Sequence, residues 1–258
     1  MKITALLENT SLRADMKTEH GLSLYIESEI GNILFDMGQS AFFAENAKKL
    51  DIDLRKVDLA ILSHGHYDHG GGLAEFLKIN EKAPVLIQRD AFLPHYNGTE
   101  KYIGLDPSLA KNPRIIFTDD FYQIAPCASL FSCNQKERKY NFGSFGLTEK
   151  AEERFIEDDF RHEQYLLIEE NGKRILFSGC SHKGILDIVS WFTPDILIGG
   201  FHFSKMPQDE TLRHTAKNLN AYPTEFYTCH CTGEAQYLFM KDEMPRLHYL
   251  ACGETIFL

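Results

Sequence analysis

The chain has 258 residues, 43% hydrophobic and 25% charged, with a formal net charge of −10 at pH 7. This composition suits a globular protein with a sizeable core, and the scattered lysines and arginines form no basic block of the kind a duplex nucleic-acid binder carries. No stretch approaches the roughly 20 apolar residues of a membrane span, and the apolar run after Met1 is too short for a signal-peptide core.

Short apolar runs rich in branched residues alternate with helix-like stretches. Strands are expected at Ile3–Leu7, Leu22–Ile26, Asn32–Phe35, Leu59–Leu62, Val85–Gln88, Ile115–Phe117, Tyr165–Ile168, Arg174–Phe177, Ile196–Ile198, Glu225–Thr228 and Thr255–Leu258. Helices are expected at Ala41–Leu50, Gly72–Ile79, Lys183–Trp191, Asp209–Leu219 and Glu234–Met244. Strands mixed with helices of this length predict an α/β architecture. Leu24 to Asp36 and Leu166 to Ser178 echo each other, each a hairpin whose second strand runs into a polar loop; the Asn171-Gly172 turn is a favoured hairpin connection. Two such halves would suit a pseudo-symmetric sandwich with a site between them. Between Asn97 and Phe160 the period is lost, and polar stretches such as Gln135 to Gly143 read as a surface loop or lid. No flexible linker is evident, so residues 1–258 are expected to form one domain. The six cysteines (Cys127, Cys133, Cys180, Cys229, Cys231, Cys252) make no dense disulfide scaffold and no CxxC pair. A cytoplasmic protein acting on a small molecule is expected, without nucleic-acid or membrane partners.

The chemical signal is Ser63-His64-Gly65-His66-Tyr67-Asp68-His69-Gly70-Gly71-Gly72, which follows the apolar run Leu59 to Leu62. Four ligand-type side chains fall within six positions. His64 and His66, two apart, can share one side, while Asp68 and His69 turn to another. Imidazole and carboxylate suit zinc, manganese or iron, and catalytic ions need about three protein ligands and an open position. One short segment can therefore supply two ligands to each of two adjacent ions.

The His-x-His-x-Asp-His pattern after a strand resembles the metallo-β-lactamase superfamily. That resemblance implies a four-layer αββα sandwich with the metal site at one edge of the paired sheets. It implies Asp36, in Leu34-Phe35-Asp36-Met37-Gly38, as a strand-end carboxylate supporting the site. His182 in Ser178-Gly179-Cys180-Ser181-His182 and His230 in Thr228-Cys229-His230-Cys231-Thr232-Gly233 are then the remaining histidine ligands. Cys180 stands where the family usually has a bridging aspartate, which puts the second ion in question. His162 lies where many relatives carry a ligand, but without the usual surroundings, and ranks below His182. His202 and His20 are expected near the pocket; His95, His214 and His248 read as ordinary histidines. These motifs together look like the branch containing dihydropterin ribofuranosylaminobenzene phosphate synthase and uncharacterised bacterial relatives.

The activity this resemblance implies is hydrolysis of a small ester or phosphoester by a hydroxide held on one or two divalent ions. Zinc comes first, with manganese, iron or magnesium as alternatives. Asp68 would bind metal and orient or deprotonate water, and His202 or His20 would assist the leaving group. A non-hydrolytic dihydropterin-type synthase is the second expectation, and a metal-dependent redox enzyme the third.

Overall fold

The computed structural model describes residues 1–140 and 142–258. Two seven-stranded mixed sheets face each other. One has the order Thr255–Phe257, Lys2–Leu7, Ser23–Ser28, Gly31–Phe35, Leu59–Leu62, Val85–Gln88, Ile115–Thr118. The other runs Leu247–Tyr249, Glu225–Thr228, Ile196–Gly199, Lys173–Phe177, Tyr165–Glu170, Ala128–Phe131, Phe121–Ala125. Each has an antiparallel part around its hairpin and a parallel part beyond it. The expected echo is thus a matched pair of hairpins. Asn171 and Gly172 both adopt positive φ, as a tight two-residue turn requires.

The sandwich follows from the residue pattern. Val85–Gln88 and Ile196–Gly199 are buried along their whole length, which needs cover on both faces. One cover is the opposite sheet: Ile26, Phe35, Ile61, Ile168, Phe177 and Ile198 share the inter-sheet core, with the Phe35 and Phe177 rings 5.9 Å apart. The other cover is helical. Phe42–Lys49 and Leu73–Ile79 pack outside the first sheet; Ile185–Phe192, Glu210–Asn220 and Glu234–Lys241 pack outside the second. The result is the four-layer sandwich expected from the sequence. Among the described residues no helix is long and apolar enough to cross a membrane.

The loss of period between Asn97 and Phe160 conceals regular structure, although the described residues of Gln135 to Gly143 form loop as expected. Phe121–Ala125 and Ala128–Phe131 form the edge hairpin of the second sheet. Arg154–Glu157, Leu147–Ala151, His95–Asn97 and Lys101–Tyr102 build a third, four-stranded antiparallel sheet. These strands are two to five residues long, too short to leave a clear period. Within the stretch Gln135 to Gly143, Asn141 lies outside the described residues.

The parallel strands of both sheets release their chains at one edge of the sandwich. Asp36 follows Phe35, Ser63 follows Leu62, Ser178 follows Phe177, Gly200 follows Gly199 and Cys229 follows Thr228. Open α/β sheets place their ligands beyond these carboxyl ends.

Candidate metal centre

Asp36 organises the first half of the site. It is buried and holds a left-handed backbone at φ 60°, a conformation that costs about 1–3 kcal/mol for a non-glycine residue. Its amide donates to Ile61 O at 2.9 Å. Its carboxylate accepts from Ser63 N at 2.7 Å, Ser63 Oγ at 2.7 Å and His69 Nδ1 at 2.7 Å. Because Ser63 Oγ gives its proton to Asp36, it accepts from His64 Nδ1 at 2.8 Å. Both His64 and His69 therefore carry a proton on Nδ1, and their Nε2 atoms face inward. Asp36 lies at the strand end, hydrogen-bonded to Ser63 and His69.

The second sheet supplies matching groups. His230 starts a short turn after Glu225–Thr228 and also sits at positive φ. Its amide donates to the buried carboxylate of Glu8 at 2.6 Å, and its Nδ1 donates to Asn9 Oδ1 at 2.8 Å. Nε2 again points inward. His182 follows Lys173–Phe177, with its amide donating to the buried Glu163 carboxylate at 2.7 Å. Its ring stacks on Phe160 at 4.5 Å.

These nitrogens meet in two sets. His64 Nε2 and His182 Nε2 lie 3.2 Å apart, with His66 completing the group. His69 Nε2 lies 3.1 Å from His230 Nε2 and 3.2 Å from Cys180 Sγ, and Asp68 Oδ2 is 3.3 Å from His230 Nε2. In His64, His69 and His230 the remote nitrogen is tied to an oxygen, so Nε2 is the nitrogen each ring turns into this buried space, where His69 must first give up its second proton. A cation accommodates such converging nitrogens. Metal–nitrogen bonds of about 2.0–2.1 Å at near-tetrahedral angles put neighbouring donors roughly 3.4 Å apart, close to the observed separations. The residues fit a divalent ion at each set, one with three imidazoles and one with carboxylate, two imidazoles and a thiol.

The electrostatics agree. Burial, reinforced by neighbouring histidines, pushes His64 and His182 well below the usual histidine range, the neutral form that ligation needs. Burial opposes charge on His69 too, but the Asp36 and Asp68 carboxylates outweigh it and raise that pKa to about 9. Burial pushes the Cys180 thiol up, so a nearby cation is needed to hold it as thiolate.

The two sets open on a cavity of about 210 Å³ lined by His20, Tyr67, Asp68, Lys101, His202 and Lys205, among others. His20 Nε2 sits 3.2 Å from Asp68 Oδ2, and its Nδ1 accepts from Asn9 Nδ2 at 3.2 Å. The hydrogen bond to Asp68 raises the His20 pKa. The His202 ring lies 4.3 Å from that of His182, and its buried Nδ1 has no hydrogen-bond partner. A larger surface cavity, of about 510 Å³ around Ala44, Arg55 and Ile79, lies on the helical layer away from these groups. It carries no comparable chemistry.

Every site candidate named from sequence reaches this edge, but His162 does not join either set. Its Nδ1 accepts from Gly65 N at 2.9 Å and its Nε2 faces Asp158 Oδ2 at 3.3 Å, so both ring nitrogens are occupied. His95, taken as ordinary, is buried and donates from Nδ1 to the same Asp158 oxygen at 2.9 Å. His248 pairs with Glu225 on the strand surface and His214 lies on an exposed helix face, as ordinary histidines do. Sequence reasoning missed Glu8, Asn9, Asp158 and Glu163. Only Asp158 left a trace, its spacing of four from His162.

Comparison with known proteins gives these groups a lineage. A model of the metallo-β-lactamase superfamily matches residues 17–222. A 7,8-dihydropterin-6-methyl-4-(β-D-ribofuranosyl)-aminobenzene-5′-phosphate synthase from Methanocaldococcus jannaschii is 31% identical, over 96% of this chain and 94% of that one. An uncharacterised protein of the same organism is 29% identical over 90% of each chain. Among solved structures, Tm1679, described as a metal-dependent hydrolase of the β-lactamase superfamily, superposes with a TM-score of 0.85 at 29% identity, covering 100% of this chain and 99% of that one. The chain belongs to the metallo-β-lactamase superfamily.

Proposed function

We propose that this chain is a metal-dependent hydrolase of a small ester or phosphoester. The observation that carries this reading is the pair of inward-facing donor sets, with the His64, His69 and His230 Nδ1 protons pinned on the far side, opening on a small cavity. His64, His66 and His182 would hold one ion; Asp68, His69, His230 and Cys180 would hold a second. Bound there, such ions supply Lewis acidity, acidifying water and polarising a substrate oxygen.

The chain's own groups provide the rest. Asp68 lines the cavity and accepts a hydrogen bond from His20 Nε2. That hydrogen bond makes His20 a proton store beside the reacting centre, able to protonate a leaving oxygen. His202 lines the cavity beside His182. Lys101 and Lys205 reach the mouth, where they attract an anionic substrate group. The small sheet covers the cavity through Asn97, Lys101 and Leu147 and limits water entry.

A second reading rests on the Methanocaldococcus synthase, whose similarity extends over nearly both chains. In that case the same ions would assist condensation of a dihydropterin pyrophosphate with an aminobenzene ribofuranosyl phosphate, with pyrophosphate leaving. The test is a panel of phosphoesters, lactones and thioesters offered to chelator-stripped and metal-reconstituted protein. Metal-dependent turnover of an ester supports hydrolysis. No ester turnover, with metal-dependent consumption of the pterin pair, replaces it with the synthase.

A further inference from the structure

Behind the His64–His66 loop lies a second group of titratable residues, of which only His66 is used above. His66, His95, Asp158 and His162 are all buried, with ligand-type atoms within 4.8 Å of one another. The arrangement invites comparison with a further metal site, but the hydrogen bonds point elsewhere. His162 Nδ1 accepts the Gly65 amide proton, so this neutral ring carries its proton on Nε2 and donates it to Asp158. It then has no lone pair to offer an ion. His95 donates to the same Oδ2 from Nδ1. Asp158 is a carboxylate surrounded by donors, and its other oxygen accepts from Phe160 N at 2.8 Å.

His66 is the one ring of this group that also belongs to the metal centre. Its Nε2 is buried without a hydrogen-bond partner and faces Asp158 Oδ2 at 4.0 Å. With Nε2 turned to the carboxylate, Nδ1 is the nitrogen left for the ion shared with His64 and His182. The carboxylate favours a proton on Nε2, and that tautomer leaves the Nδ1 lone pair free. The same carboxylate holds His162 against the Gly65 amide, which lies between the two histidines of the motif.

We propose that Asp158 is a positioning residue of the metal centre: directly it selects the Nε2–H tautomer of His66, and through His162 it fixes the Gly65 backbone. It acts on metal binding and orientation rather than on substrate. Carboxylates in this relation to a ligating histidine alter metal affinity by about 10–100-fold when removed. The proposal rests on the metal reading of the site but not on which reaction follows.

The test begins with metal-free wild-type protein, where long-range nitrogen–proton NMR reports the tautomer of each imidazole. The expected spectrum shows His66 protonated at Nε2 and His162 protonated at Nε2. His66 protonated at Nδ1 overturns the proposal without any variant. The second arm compares wild type with Asp158→Asn, folded by near-ultraviolet circular dichroism, in a calorimetric titration with zinc. A weaker first-bound ion, by about 10–100-fold, with His66 shifted toward the Nδ1–H form, supports it. Unchanged affinity and tautomer overturn it. So does loss of one whole equivalent with the remaining ions bound as before, which would make the group a metal site of its own. Because neither arm measures turnover, failure of the hydrolase reading leaves both outcomes interpretable.

Discussion

At the scale of single residues the site is a problem of proton placement. An imidazole ligates only through a nitrogen without a proton, and the chain settles this with side-chain oxygens: Asp36 for His69, Ser63 for His64, Asn9 for His230. Asp36 is the most connected of these. Asp36→Asn keeps the shape but offers one acceptor oxygen where three donors converge, so metal affinity should fall by about 10–100-fold, measured by titration with zinc. An unchanged affinity would remove Asp36 from the account. A second prediction concerns His69. Its pKa of about 9 in the metal-free protein leaves it protonated at neutral pH, and an ion at Nε2 must displace that proton. Metal uptake at neutral pH should release about one proton from this residue, and apparent affinity should rise as pH climbs toward 9. Calorimetry in buffers of different ionisation enthalpy checks the release; none observed would show that His69 does not ligate.

Residues were legible in the sequence to unequal degrees. Four ligand side chains, three imidazoles and a carboxylate, crowded into the His64–His69 segment announce a metal without any knowledge of the fold. Asp158 and His95 carry no such signal, because they are 63 positions apart and meet only when the small sheet folds over the motif. Asn9 and Glu8 are farther still, 221 and 222 positions from His230. An isolated Asn or Glu has too many structural uses for sequence to pick it out.

Among elements, the loops rather than the strands decide geometry, and close approach between loops depends on missing side chains. Gly179 lies against Ser63: a Cβ there would sit 2.1 Å from Ser63 Oγ and 3.0 Å from His64 Nδ1. Gly179→Ala must push Ser63 off Asp36 or His64 off Ser63. Loss of metal affinity with retained secondary structure by circular dichroism is expected; affinity equal to wild type would show that the relay through Ser63 is dispensable. The longer strands and helices were visible from period 2 and period 3.6 patterns, and their observed bounds differ from expectation by a few residues at the ends. The small sheet was invisible because its strands are short and Arg154–Glu157 is exposed throughout, which leaves no buried face to give a period.

The whole molecule is a sandwich whose inter-sheet core is built separately from the site at its edge. Ile168 is fully buried between the sheets, away from the site loops. Ile168→Ala should cost about 2–5 kcal/mol of stability, read by chemical denaturation, while metal affinity per folded molecule stays unchanged. A parallel loss of metal binding would couple core and site in a way this architecture does not suggest. The two echoing hairpins made the layered arrangement legible in outline. The pairing of Lys2–Leu7 with Thr255–Phe257 was not, because register between chain ends is set by the finished sandwich and not by local sequence.

The central claim is that the two donor sets at the sheet edge hold divalent metal and that activity depends on it. Elemental analysis of purified wild type and His66→Ala, with turnover of a responsive ester measured on the same samples, tests this most directly. The account predicts bound transition metal in the wild type, and loss of metal from the His64–His66–His182 set together with turnover in the variant. A metal-free wild-type preparation with undiminished turnover would contradict it.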